Sequence, residues 1–336
     1  MVTFGVIGCG HWGKNYVRVL QEIRGASVGG CADVIEDNLR VIRDRHPNVT
    51  AVKDARDLIR RNDIDAIVIA TPAGSHHRLA LEALRAGKHL IVEKPLALTA
   101  EHCEEMIALA EKERKLLMVG HTFLYNDSVR KVKELVDKGT VGDIYYLNAR
   151  RNHLGLVRED VAALWDLAPH DVAIFNHLVG STPHGVSAVA GDYLKEGRHD
   201  VAFVTLFYGK NILGNIQVSW VDSNKIREVV VIGSKQRVVF DDLNPMESVR
   251  IYEKGISYDQ DVDSFGEFQY LLRDGDIISP KIHHREPLKV QCQHFVECVQ
   301  KGTKLQTDGR SGLDVVKVLL AATTSMEKKG AFVEIG

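Results

Sequence analysis

Nowhere in this chain does an apolar run reach the ~18 to 20 residues of a membrane-crossing helix, and nowhere does one sign of charge prevail, with 43 Lys and Arg against 45 Asp and Glu. The first absence argues against a membrane protein. The second argues against a global field that draws in nucleic acid or an anionic membrane, so an anionic ligand has to be gripped locally. Cysteine is scarce. The five, Cys9, Cys31, Cys103, Cys292 and Cys298, are odd in number, and none stands in a CxxC pair. That argues against a disulfide framework and for a reducing compartment. The first residues run straight into a strand-like VTFGVIG, without a basic region or a small-residue cleavage site, so a cytoplasmic protein is expected. HExxH and other metal spacings are missing among the 15 histidines, as is the GxSxG of serine hydrolases. No metal is expected.

What is present is an ordinary globular composition, 45% hydrophobic and 26% charged over 336 residues, enough for two domains of ~100 to 200 residues each. The strand-like run 2–8 delivers the chain into Gly8-Cys9-Gly10-His11-Trp12-Gly13, after which Tyr16, Val19, Leu20 and Ile23 mark the stripe of an amphipathic helix. A second run ends in Asp33, ~20 residues beyond Gly13, the offset of the dinucleotide fingerprint. Gly8 suits the tight turn, Gly10 the backbone's approach to a pyrophosphate, and Gly13 close helix packing, while the helix N-terminus favours phosphate. Asp33 would accept from a ribose diol and repel a 2′-phosphate, which favours NAD over NADP; its plainer role is to cap the helix of residues 36–44.

The alternation continues with a strand at 49–52, a helix over 54–61 and the apolar run IDAIVIATP of residues 64–72. That run carries Thr71-Pro72 at its C-terminal end, and Ser75-His76-His77 opens the next helix. The strand 89–92 ends in Glu93-Lys94-Pro95. Ligands of open α/β sheets lie outside the carboxyl ends of strands, so three loops converge on one crevice. The cofactor set is Gly8, Gly10, His11, Trp12, Gly13, Asp33, Thr71, Pro72, His76, Glu93 and Lys94. Pro95 holds Lys94 in extended backbone. Glu93 is read either as a nicotinamide-side contact or as a partner that keeps Lys94 charged.

LLMVGH closes a Rossmann domain over residues 1–120. From 121 to 336 strand-like runs follow one another, interrupted by a helical segment over 160–179, which predicts an α+β domain on a large, mostly antiparallel sheet, with helices near 288–300 and 312–328 and a last strand AFVEI. In LWDLAPHDVAIF, Pro169 is expected in a helix's first turn with His170 near its start or at a kink. Asp166, four residues earlier, is placed to orient His170 as a general base.

GCGHWG, ATPAGSHH, VEKP and Asp166-x-x-x-His170 together resemble the glucose-fructose oxidoreductase, inositol dehydrogenase and MocA family over essentially the full length. The resemblance implies a Rossmann domain, an open-faced second sheet that often forms the subunit interface, and NAD(P)-dependent oxidation of a sugar or polyol alcohol. It implies that Lys94 polarises the hydroxyl, His170 accepts its proton and Asp166 orients the site; which of Lys94 and His170 is the principal base stays open. RNHLGLVREDVAALWDLAPHD, QVSWVDSNKIRE and EPLKVQCQHF look like the branch that oxidises UDP-N-acetylglucosamine or its uronic acid at C3, although Ala162 stands where a polar residue is usual. Arg151, Asn152, Arg158, Trp165 and Lys225, with Trp220 and Arg227, are the candidate contacts to a UDP-sugar. A homodimer or homotetramer, and a pyridoxal-phosphate aminotransferase consuming the 3-keto product, are the implied partners. An inositol or aldose dehydrogenase is the alternative within the family. A catalytically silent NAD-sensing regulator is the alternative of another class, and keeping both Lys94 and His170 argues against it.

Overall fold

The computed structural model describes residues 1–155, 157–258 and 270–336. The chain divides into two compact units, residues 1–125 with 285–317, and residues 126–284 with 318–336. The tail therefore does not go entirely with the second half, and the reason is packing. The helix Pro287–Lys301 buries Leu288, Cys292, Phe295 and Val296 in the same core as Phe4, Tyr16 and Leu20.

The first unit alternates β1 (Val2–Ile7), α1 (His11–Gln21), β2 (Ala26–Ala32), α2 (Glu36–Arg45), β3 (Thr50–Val52), α3 (Ala55–Ile59), β4 (Ala66–Ile69), α4 (His76–Arg85), β5 (His89–Val92), α5 (Ala100–Lys112) and β6 (Leu117–Val119). The strands form a parallel sheet in the order β3-β2-β1-β4-β5-β6. β4 is buried along its whole length and β5 from Leu90 on, as continuous apolar runs between two helical layers require. The order reverses between β1 and β4, so the Gly8 and Thr71 loops leave in opposite directions and open a crevice at the carboxyl ends.

The second unit follows with α6 (Asp127–Asp137), β7 (Ile144–Leu154), α7 (Ala163–Val179), β8 (Gly185–Gly191), β9 (Val201–Phe207), β10 (Leu213–Ser219), β11 (Val221–Gly233), β12 (Arg237–Asp241), β13 (Val249–Tyr252), β14 (Gly255–Tyr258), β15 (Tyr270–Arg273) and β16 (Ile277–Ile278). The chain then gives α8, the helix Pro287–Lys301 already described, α9 (Gly309–Glu327) and β17 (Val333–Glu334). Nine strands pair as β16-β13-β12-β11-β7-β10-β9-β8-β17, and every described pairing is antiparallel except β7 with β10. The register of β11 on β7 slips between Val221 and Ile226. Residues 222–225 thus bulge out of the ladder, which re-aims their side chains.

Pro169 departs from expectation. α7 begins at Ala163, where the Ala163 N–H is taken by the His199 carbonyl, so Pro169 lies inside the helix rather than in its first turn. Proline there removes the bond to the Trp165 carbonyl, an interior cost of ~3 kcal/mol. The apolar stripe Leu164, Leu167, Ala168, Val172 and Phe175, buried on both sides of it, offsets that cost and keeps the helix continuous. Among the described residues no helix is long and apolar enough to cross a membrane.

Candidate active site

In the first unit the glycines of the β1–α1 loop have distinct physical duties. Gly8 takes φ +88°, and a Cβ there would stand 2.6 Å from the Ala70 carbonyl oxygen; a Cβ on Gly13 would stand 1.8 Å from the Gly8 carbonyl oxygen. Both positions exclude a side chain by the protein's own packing. Gly10 is different, since a Cβ there would meet nothing within 4 Å. The space over its backbone is open. α1 starts there with no acidic residue in its first turn and no side-chain cap, so its first N–H groups point into that space. His11 is exposed and Trp12 is 39% exposed beside it. These residues fit a dinucleotide pyrophosphate.

Asp33, just beyond β2, does not cap α2, whose N-cap is Ile35 without a side-chain capping bond; its carboxylate instead ties the loops on either side of it. Its Oδ2 accepts from the Cys9 N–H at 2.6 Å and from Asn38 Nδ2 at 3.1 Å, and its Oδ1 accepts from the Ile35 N–H at 2.8 Å. A carboxylate offers about four acceptor sites, so these three bonds leave one unused. For Asp33→Ala, KM for NAD is expected to rise about tenfold to a hundredfold, the loss of a charged hydrogen bond worth ~1.5–3 kcal/mol. Turnover with NADP should rise relative to NAD. Initial rates with each cofactor measure both.

The carboxyl ends of β4 and β5 are tied to each other. The buried His76 ring places Nε2 2.9 Å from the Thr71 carbonyl oxygen and Nδ1 2.9 Å from the Pro95 carbonyl oxygen. His76, expected among the cofactor contacts, has its ring packed between these two backbone carbonyls, and whichever nitrogen carries the N–H donates to one of them. Thr71 Oγ1 lies 2.6 Å from Ser75 Oγ, which also donates to the Pro72 carbonyl, fixing the start of α4. The Lys94-Pro95 peptide is cis. Lys94 is half-buried at the end of β5, and Glu93 is buried with its Oε1 accepting from the Tyr16 hydroxyl at 2.7 Å. His121, two residues past β6, was given no role by its sequence. It is fully enclosed, and neither ring nitrogen has a partner among the described residues. Burial first, and then the Lys94 ammonium, push it down to about 4, so the ring is neutral.

In the second unit Asp166 and His170 share a face of α7 one turn apart. Asp166 accepts from Arg158 Nη1 at 3.3 Å and from the indole of buried Trp220 at 3.4 Å. His170 is half-buried. Its neighbour Asp171, 1% exposed, receives both Nε and Nη2 of Arg151 at 2.9 and 2.8 Å. Arg151, expected at a diphosphate, is only 4% exposed and committed to that bidentate pair. Its charge holds α7 on β7 rather than serving a ligand. Trp165 likewise donates its indole N–H to Thr323 Oγ1 at 3.2 Å. Asn152 is buried, with Nδ2 donating to Asp222 Oδ2 at 3.0 Å and Oδ1 lacking a partner among the described residues. Arg158 is paired mainly with Asp160. Lys225 is exposed on the β11 bulge, with no carboxylate within ion-pair distance among the described residues, and Arg227 lies 3.5 Å from Asp242.

Comparison with known proteins assigns both units. Residues 2–121 match the family model of the oxidoreductase family with an NAD-binding Rossmann fold, and residues 129–239 match its C-terminal domain. The chain is 26% identical to the myo-inositol 2-dehydrogenase of Thermotoga maritima over 98% of its own length and 97% of that protein. The UDP-N-acetylglucosamine 3-dehydrogenase of Acidithiobacillus ferrooxidans superposes with TM-score 0.82 at 22% identity, covering 97% of this chain and 98% of that one. The WlbA dehydrogenase of Bordetella pertussis, solved with NADH and UDP-GlcNAcA, superposes with TM-score 0.81 at 20% identity, covering 100% and 99%. At those identities the two structures speak for the fold alone.

Proposed function

The chain belongs to the GFO/IDH/MocA family of NAD-binding oxidoreductases, and from that premise we propose that it oxidises a hydroxyl of a nucleotide sugar, at C3 of a UDP-N-acetylhexosamine or its uronic acid. One observation carries the choice of substrate. Residues 151–171 and 217–228, which separately look like the nucleotide-sugar branch, meet around Asp166 through the Trp220 indole, the Asn152–Asp222 bond and the β7–β11 register. The exposed Lys225 at the bulge gives that cluster a cation for a diphosphate. Leu156, within the first stretch, lies outside the described residues.

Gly10, the α1 N-terminus and Asp33 would hold NAD, which when bound would supply the hydride acceptor. In the proposed chemistry the Lys94 ammonium donates to the reacting hydroxyl oxygen and stabilises the negative charge it gains, while a His170 imidazole nitrogen takes the proton. Asp166 orients the His170 face of α7. Each role rests on the geometry of its own unit. A 3-keto sugar is labile, which fits consumption by an aminotransferase, and the open sheet of the second unit suits a homodimer or homotetramer.

The test is a panel of UDP-sugars, inositols and free aldoses with NAD, followed by the absorbance of reduced nicotinamide. A UDP-sugar is expected to give the highest kcat/KM. Lys225→Glu should raise its KM about fivefold to tenfold, the scale of reversing one exposed charge, with KM for NAD unchanged. Oxidation of an inositol or aldose with no UDP-sugar turned over would replace this reading.

A further inference from the structure

Inside the first unit a buried chain of hydrogen bonds reaches the Glu93-Lys94 turn, and the chemistry above makes no use of it. The Thr122 hydroxyl donates to Gln291 Oε1 at 2.9 Å, the Gln291 amide donates to the Tyr16 oxygen at 3.1 Å, and the Tyr16 hydroxyl donates to Glu93 Oε1 at 2.7 Å. Every donor points toward Glu93. Its Oε2 accepts from the Lys94 N–H at 3.3 Å, so both oxygens act as acceptors, which is the arrangement of a carboxylate. Tyr16, Glu93 and Gln291 are all more than nine-tenths buried. Burial, and then the Glu93 charge, push the Tyr16 phenol well above its ordinary value, which keeps it a donor. Near Glu93 also stand the Cys292 thiol of α8, pushed up by burial and by Glu93, and Gly120, where a Cβ would stand 2.9 Å from Oε1.

Packing alone does not ask for these polar atoms. Tyr16 sits among Val17, Val19 and Leu20 on α1, and Gln291 beside Leu288 and Cys292 on α8, where phenylalanine and methionine would fill the same space. A buried polar pair persists at a desolvation cost unless it satisfies something else, and here that is the Glu93 carboxylate.

We propose that Tyr16 and Gln291 are positioning residues: anchored on Thr122, they fix the rotamer of Glu93 and with it the direction in which the Lys94 side chain leaves the end of β5. The inference rests on Lys94 contacting the reacting hydroxyl. Tyr16→Phe and Gln291→Met, each in the full chain, test it with two readouts. With a substrate from the panel, kcat is expected to fall about 10- to 100-fold, as a slight misplacement of a reacting group costs. KM for NAD should stay unchanged, and the loss should disappear in a Lys94→Met background, where there is nothing left to position. Without any sugar, the rate at which acetic anhydride acetylates Lys94, followed by mass spectrometry against the other lysines, is expected to change in both variants while the others keep theirs. Unchanged kcat and unchanged Lys94 labelling would overturn the proposal, as would a fall in kcat that persists in the Lys94→Met background. Altered labelling with no sugar oxidised would keep the positioning and sink the assigned reaction instead. Thr122→Val, at the far end of the chain, reads the same link where a central variant fails to fold.

Discussion

Lys94→Met is expected to lower kcat/KM for the preferred sugar by about 10²- to 10³-fold, the cost of removing one donor from a developing oxyanion. NAD affinity, measured by calorimetry, should fall far less than kcat/KM, because the contacts expected of Gly10, the α1 N-terminus and Asp33 remain. Methionine keeps the length and apolar stem of lysine and removes only the ammonium. The half-buried site at the end of β5 therefore keeps its packing. Loss confined to kcat would identify a contact made as charge develops, and loss confined to KM would identify uniform binding. If the wild-type protein shows no turnover to lose and NAD binding is intact, the NAD-sensing reading gains and the dehydrogenase reading fails.

The second large effect is expected at His170. His170→Asn should cost about 10²- to 10⁴-fold in kcat, the range for a positioned general base. The pH dependence supplies the sign. A base works only while deprotonated, so the wild-type rate should fall as pH drops through the titration of the acceptor, and that limb should vanish in His170→Asn. A limb that survives the substitution would move the base elsewhere. Asp171 offers an internal control. It is next in sequence, yet it is buried in the pair with Arg151, so replacing it should destabilise the fold rather than reshape the profile. Breaking a buried pair by removing one partner costs about 3–5 kcal/mol, which a thermal melt would read.

The three strand ends of the first unit were legible because the rules that locate them are local. Strand periodicity, glycine at a turn and the carboxyl-end rule each involve a few neighbouring residues, so β1, β4 and β5 and their loops follow from short windows. In the second sheet most strands were legible for the same reason, though not the two-residue β16 or the start of β11, and their partners were not. The parallel β7–β10 pair and the bulge at 222–225 depend on register, which no single strand encodes.

By itself, then, the amino-acid order determined a Rossmann half with a glycine loop and Asp33, a largely antiparallel second half, and chemistry-bearing side chains at named positions. Only the tertiary structure decided what each polar group does with its hydrogen bonds. The His76 ring is packed between two backbone carbonyls, Arg151 is spent on Asp171, Trp165 on Thr323, and His121 is enclosed without a partner among the described residues. Tyr16 and Gln291 are separated by 275 positions yet bonded at 3.1 Å. The physical reason is common to all of them: a residue's type sets how many bonds it can make, but burial and the neighbour brought against it set which one it makes. That neighbour is chosen by the packing of whole elements rather than by anything adjacent in the chain.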